Sequence, residues 1–306
     1  MKSKYMDNTL AIVIPYFKND FFEETLLSLQ QQTDKRFTVY IGDDASEHSI
    51  DNLIDKFKND VSIKYHRFDE NLGSKSLTKQ WDRCIKLINN ETWICILGDD
   101  DCLSEKFVDC FYRELQNLKS QQSKLLRFAT LKIDENSVPI GSIQNNPELQ
   151  LATESFIEKY YGNKHSSLSE YVFSITSYRK YGFRNYPLAW CSDDMAWLEF
   201  SDGQNIVGCN DAYLKFRLSS KSISGTLNSK KNDAKRLFFE DLVLEKQDVF
   251  SRTITIKNLK KYEVFLVLTK ELKKAHFIFF LKRFFKLGSP LECFKFTLRF
   301  SINILK

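Results

Sequence analysis

Three adjacent aspartates, Asp99, Asp100 and Asp101, follow the apolar run Trp93-Ile94-Cys95-Ile96-Leu97. Close-packed like charges repel, and a carboxylate at the edge of a core loses hydration. A hard divalent cation relieves both problems. Mg²⁺ and Mn²⁺ prefer carboxylate and phosphate oxygens, and few protein carboxylates are needed when a diphosphate supplies the rest. A solvated acidic turn capping the next helix would carry the same residues. A second acidic pair, Asp43-Asp44, ends another apolar run and favours a site. A third, Asp193-Asp194, precedes Met195-Ala196-Trp197-Leu198. A carboxylate there can take a proton from a hydroxyl nucleophile, or simply cap a helix. Arg217 and Lys221 lie in the run YLKFRLSSKSISG. They suit charge neutralisation on an anionic leaving group, or a solvated basic loop.

The elements around these residues alternate. Residues 10–14 and 93–97, apolar throughout, read as buried strands, and 37–41 and 61–65 as two further strands. Stretches 21–32, 49–57 and 76–88 have helical spacing between them, the first with Asp20 as its cap. This order predicts βαβ units and a mainly parallel sheet with helices on both faces. Ligands of such sheets bind beyond the carboxyl ends of the strands. The polar clusters at 15–19, 43–44 and 99–101 should therefore converge. Further on, 104–118 reads as a helix, 125–133 as a strand, 137–147 as a loop and 153–161 as a short helix. Residues 194–200 form a helical turn or two, 206–209 and 213–218 two strands, and 219–232 a polar loop containing Gly225. Helices dominate from 234 onward. The expected division is 1–230, with halves 1–110 and 111–230, and a helical extension 231–306.

The 306 residues suit one large α/β domain with an appendage. A net charge of +5 is too mild to imply a nucleic-acid partner. Seven cysteines without CxxC spacing, and four scattered histidines, argue for reduced thiols and against a zinc centre. Residues 1–8 are polar, and the first apolar run is too short for a signal peptide, so a cytoplasmic protein is expected.

An ordered set of segments resembles the family 2 glycosyltransferases with the GT-A fold. Ile12-Val13-Ile14-Pro15-Tyr16-Phe17 is similar to the opening strand and its nucleotide-contacting turn, and LLSLQQQT at 26–33 to the first helix. Val39 through Ser46 resembles the strand with the DD turn, Asn71-Leu72-Gly73 the NxG turn, and Leu97 through Asp101 the DXD strand. The resemblance covers about the first 110 residues. It implies a GT-A, Rossmann-like sheet flanked by helices, and an inverting, metal-dependent transfer from a nucleotide-diphosphate sugar, such as a UDP-sugar. Pro15, Tyr16 and Phe17 would contact the uridine. Asp44, or Asp43, would accept a hydrogen bond from the base, and Asn71 and Gly73 would border the donor. The DXD spacing selects Asp99 and Asp101 as ligands of Mn²⁺ or Mg²⁺, with Asp100 as the alternative. Asp193 aligns with the family's base, Asp194 beside it, while Ser192 replaces the usual glutamate. Arg217 and Lys221 would face the diphosphate. The acceptor would be a glycan or lipid-linked glycan, as in bacterial capsule, O-antigen or lipopolysaccharide assembly. A sugar nucleotidyltransferase is the rival enzyme, although residues 15–20 lack its glycine-rich loop. A glycan-binding protein on a transferase fold is the non-enzymatic rival.

The tail from Tyr262 interleaves phenylalanines with lysines and arginines. Such helices suit peripheral contact with the cytoplasmic face of the inner membrane. A helical pair closing over the core, or pairing in a dimer, would use the same residues.

Overall fold

The computed structural model describes residues 9–162, 164–222 and 228–304. The polar leader 1–8 and Gly225, with the rest of 223–227, lie outside the described residues. The chain divides into two compact units, residues 1–227 and 228–306.

The first unit is built on a nine-stranded sheet. Its strands are β1 (Leu10–Tyr16), β2 (Phe37–Asp43), β3 (Ile63–Arg67), β4 (Trp93–Ile96), β5 (Cys102–Leu103), β6 (Leu125–Ile133), β7 (Leu149–Leu151), β8 (Tyr171–Ser174) and β9 (Asn205–Arg217). The helices are α1 (Phe22–Gln30), α2 (Asp51–Phe57), α3 (Leu77–Ile85), α4 (Phe107–Ser120), α5 (Ala152–Tyr161), α6 (Ile175–Tyr181) and α7 (Ser192–Phe200). Strand order is β3-β2-β1-β4-β8-β6-β9-β5, with β7 also on β9. Strands β1 to β4 are mutually parallel, as the alternation requires. Leu10, Ile12 and Ile14 are fully buried, as are Val39, Ile41 and Cys95, because helices cover both faces.

Several local expectations change. Asp20 does not cap α1; its cap position is Phe21, without a side-chain bond, and Asp20 pairs with Lys221. The two strands expected near 206–218 are one, β9, with a register shift: Phe128 faces Cys209 but Ala129 faces Tyr213. The inserted residues bulge without ending the ladder. Strand β8, absent from the sequence reading, runs antiparallel between β4 and β6. Its four residues show no alternation because all are buried.

The second unit contains α8 (Lys230–Glu245), α9 (Arg252–Leu268), α10 (Lys274–Lys286) and α11 (Pro290–Ile304). Phe238, Leu259, Phe280, Phe284 and Phe296 are completely buried in it. Buried Glu263 receives two hydrogen bonds from Arg299, at 2.8 and 2.6 Å.

Candidate active site

Parallel register brings three strand ends together. Tyr16 lies beside Asp43, and Leu97 N–H bonds to Val13 C=O at 2.9 Å. At this carboxyl edge lies a cavity of about 360 Å³. Pro15, Phe17 and Lys18 line it after β1, Asp44 after β2, and Gly98, Asp99 and Asp100 after β4. Asn71, Gly73 and Ser74 close one side, Leu168 and Ser169 another. The expected convergence of polar clusters is thus present.

The two acidic residues at the end of β2 divide their work. Asp43 is fully buried and accepts from Tyr65 Oη at 2.7 Å, Arg67 Nη1 at 2.7 Å and Ser46 N at 2.8 Å. It shapes the turn and does not line the cavity. Asp44 does. Its carboxylate accepts from Leu72 N at 2.7 Å and Gly73 N at 2.8 Å, and pairs with Arg83. Burial raises its carboxyl above the usual range despite the opposing pull of Gly73, Leu72 and Arg83. A methyl group on Gly73 would stand 2.5 Å from Asp44 Oδ2, so glycine lets the NxG turn approach the carboxylate. Next to this pair, Ala45 is held at φ 55°, a left-handed conformation that costs a non-glycine residue about 1 kcal/mol.

The aspartate triplet also separates. Asp99 Oδ2 accepts from Phe17 N at 2.9 Å and Lys18 N at 2.8 Å, tying the β1 turn to the β4 end. Burial, then the neighbouring Asp100, pushes it up to about 6. Asp100 faces the cavity, and its carboxylate takes no hydrogen bond from another described residue's side chain or backbone. Burial raises it, while Lys18 and Arg217 oppose the rise. Asp101 turns inward: 3% exposed, it accepts from Arg217 N at 3.0 Å. Of the expected trio of metal ligands, Asp99 and Asp100 line the cavity and Asp101 does not. The DXD spacing points to Asp101, one oxygen of which is engaged with β9. Among the described residues no three His, Cys, Asp or Glu side chains form a protein-only metal cage. The pair nevertheless fits a hard cation. Asp100 is desolvated and has no donor beyond its own backbone, and Gly98 makes room for it, since a Cβ there would lie 2.9 Å from Asp100 Oδ1.

Three other expected contacts change. Tyr16 is buried against Phe22, ring centroids 4.5 Å apart, and contributes its carbonyl, which accepts from Asp44 N at 2.9 Å. Arg217 borders the cavity, but its guanidinium donates to Asp100 O at 2.8 Å, Ser137 Oγ at 3.0 Å and Glu24 Oε2 at 2.8 Å. It is a buried staple with its hydrogen bonds already used. Lys221 pairs with Asp20 and does not line the cavity. The cation facing the acidic pair is instead Lys18, which sequence reading passed over although it directly follows Pro15-Tyr16-Phe17.

Asp193 and Asp194 open α7, outside this cavity lining. Asp194 accepts from Tyr160 Oη at 2.7 Å and pairs with Lys159. Asp193 lies 4.0 Å from Lys159 Nζ and keeps 15% of its side chain exposed. Burial, then the charge of Asp194, pushes Asp193 up to about 7. Lys159 is raised: burial lowers it, but Asp194 and Asp193 outweigh that. Leu188, Ala189 and Cys191 hold positive φ just before α7, so strain accumulates where Asp193 is aimed. Ser192, in place of the resembled glutamate, is wholly buried and its Oγ has no partner among the described residues.

The strand order, the acidic carboxyl edge and the carboxylates opening α7 define a GT-A glycosyltransferase. A model of glycosyl transferase family 2 matches residues 11–186, and the chain belongs to that family. Among solved structures, residues 1–349 of S. aureus TarS in complex with UDP-GlcNAc align with a TM-score of 0.62 and 12% identity, covering 91% of this chain and 80% of that one. The same fragment with UDP gives 0.60 at 13% identity, with the same coverage. The longer S. aureus TarS structure gives 0.60 at 14%, this time over 48% of its chain. At these identities the likeness shows the fold. No sequence among curated proteins is significantly similar.

Proposed function

We propose that this glycosyltransferase moves a sugar from a UDP-sugar to an acceptor hydroxyl with inversion, using Mn²⁺ or Mg²⁺. The observation that carries the reading is the carboxyl-edge cavity, with Asp44 on one side and Asp99 and Asp100 on the other. The UDP-GlcNAc and UDP complexes of S. aureus TarS support a donor of this class. Asp44 and the Asn71–Gly73 turn would hold the base and ribose end, with Phe17 beside them. Asp100 and Asp99 would hold the cation, which supplies charge neutralisation on the diphosphate. Lys18 would add a second positive charge there.

Asp193 is the proposed base. A carboxyl titrating near 7 is matched to taking a proton at neutral pH. The acceptor oxygen attacks the anomeric carbon from the face opposite the leaving group. Its proton passes to Asp193 as the bond to the UDP oxygen breaks. Asp194, fixed by Lys159 and Tyr160, keeps the α7 start in place and its negative charge keeps Asp193 basic. The proposed acceptor is a glycan or lipid-linked glycan in surface-polysaccharide assembly at the cytoplasmic face of a membrane.

A thermal-shift series tests the donor and metal roles. UDP and UDP-GlcNAc should stabilise the protein more with Mn²⁺ than with chelator, and Asp100→Asn should lose the metal-dependent part. Equal shifts with and without metal in the wild type would overturn metal dependence. The absence of any shift with UDP-, GDP- or TDP-sugars would overturn the donor assignment.

A further inference from the structure

Helices α10 and α11 have contrasting faces. Inward, Phe280, Phe284 and Phe296 are fully buried, with the rings of Phe280 and Phe296 5.2 Å apart. Outward, α11 carries Leu291, Phe294, Leu298 and Ile302, exposed by 60%, 63%, 51% and 57%. Steps of three and four residues set them in one stripe along the helix. Lys295 is exposed beside them. On α10, Ile278 and Phe285 are exposed by 58% and 79%, among the exposed lysines Lys274, Lys282 and Lys286. An ordered line of large apolar side chains in water marks a docking face.

Charge selects the occupant. Residues 228–306 contain eighteen Lys and Arg against eight Asp and Glu, and residues 272–306 contain eight against Glu292 alone. Two such faces would repel each other, which disfavours a second copy of the chain. Among the described residues no helix is long and apolar enough to cross a membrane. An anionic lipid surface satisfies both features: the acyl–headgroup boundary takes the stripe, and lipid phosphates attract the lysines. We propose that α11 lies in the headgroup layer of an anionic membrane, with Leu291, Phe294, Leu298 and Ile302 directed into it and Lys274, Lys282, Lys286 and Lys295 at the phosphate level. This rests on the reading that the enzyme works at a membrane, and is independent of its transfer chemistry.

The test is co-sedimentation of the full chain with vesicles of phosphatidylcholine alone or mixed with phosphatidylglycerol. The wild type should bind the mixed vesicles and bind neutral ones at least about tenfold less. Phe294→Glu with Leu298→Glu should lower mixed-vesicle binding at least about tenfold, with unchanged melting temperature and elution volume, because both side chains are exposed. Lys282→Glu with Lys286→Glu should also lower it about tenfold or more. If the wild type binds and the Phe294/Leu298 variant binds equally, the stripe is not the contact, although membrane attachment itself stands. If the wild type binds neither vesicle, both the stripe and the membrane reading fall. A wild-type dimer split by the Phe294/Leu298 variant would make the stripe a contact between copies, and overturn the lipid assignment.

Discussion

Replacing Asp193 with asparagine should make the protein more stable and nearly inactive. Asp193 titrates near 7 in the folded chain, against an ordinary value of 3.8. The raised carboxyl sets the sign. Unfolding lets Asp193 ionise more readily, so wild-type stability falls as pH rises from about 4 to about 7, and levels off above. At 1.36 kcal/mol per pH unit over about three units, the ceiling is about 4 kcal/mol at neutral pH and above. That net shift already contains the pull of Lys159, and asparagine copies the neutral acid imperfectly, so about 2 kcal/mol is expected. That is about 4–8 °C in melting temperature for a unit of this size. Melting curves of both proteins at about pH 4.5 and about pH 8 provide the assay, with the gain present mainly at the higher pH. UDP release from a UDP-sugar should fall about 10²- to 10⁴-fold, with UDP affinity unchanged. In the wild type, the pH profile of transfer should rise with a midpoint near 7. An equal melting difference at both pH values would refute the desolvated carboxylate. Unchanged turnover would remove Asp193 from the base role.

Other substitutions separate positioning from contact. Gly73→Ala places a methyl group 2.5 Å from Asp44 Oδ2. It should weaken UDP binding at least about tenfold by calorimetry and lower stability by about 2 kcal/mol, through loss of charge-assisted hydrogen bonds. Lys18→Ala leaves the core untouched. It should weaken UDP binding about tenfold while binding of uridine, which lacks the diphosphate, is unaffected, and its melting temperature should stay within about 2 °C of wild type. Arg217→Met removes a fully buried guanidinium and takes one donor each from Glu24 and the Asp100 carbonyl. It should cost about 3 kcal/mol in denaturant unfolding. A loss of UDP affinity with no loss of stability would instead make Arg217 a diphosphate ligand.

Much of the site can be read from local pattern. A strand buried on both faces must be apolar throughout, so an acidic cluster at its end stands out, as at Asp43-Asp44 and Asp99 to Asp101. Alternation with helices then forces parallel strands, and parallel strands place those ends on one edge. The fold class and the meeting of these strand ends on one edge follow from these short-range rules, while the family rests on the resemblance of the ordered motifs. Within the clusters, tertiary structure decides the roles. Asp43 is the last residue of β2 and Asp44 the first beyond it; Arg67 and Tyr65 hold the one while the other borders the cavity. Nothing in three identical letters says that Asp101 turns toward β9, more than a hundred residues later, and leaves Asp99 and Asp100 to the cavity. Arg217 looks like a diphosphate ligand until the backbone oxygens and Glu24 that surround it are known. Strand β8 pairs with two partners distant in sequence, and four buried residues carry no period. Local sequence determined where charge collects, because burial and periodicity act over a few residues. Which charges remain free for a ligand was decided by long-range hydrogen bonds, which only the assembled fold supplies.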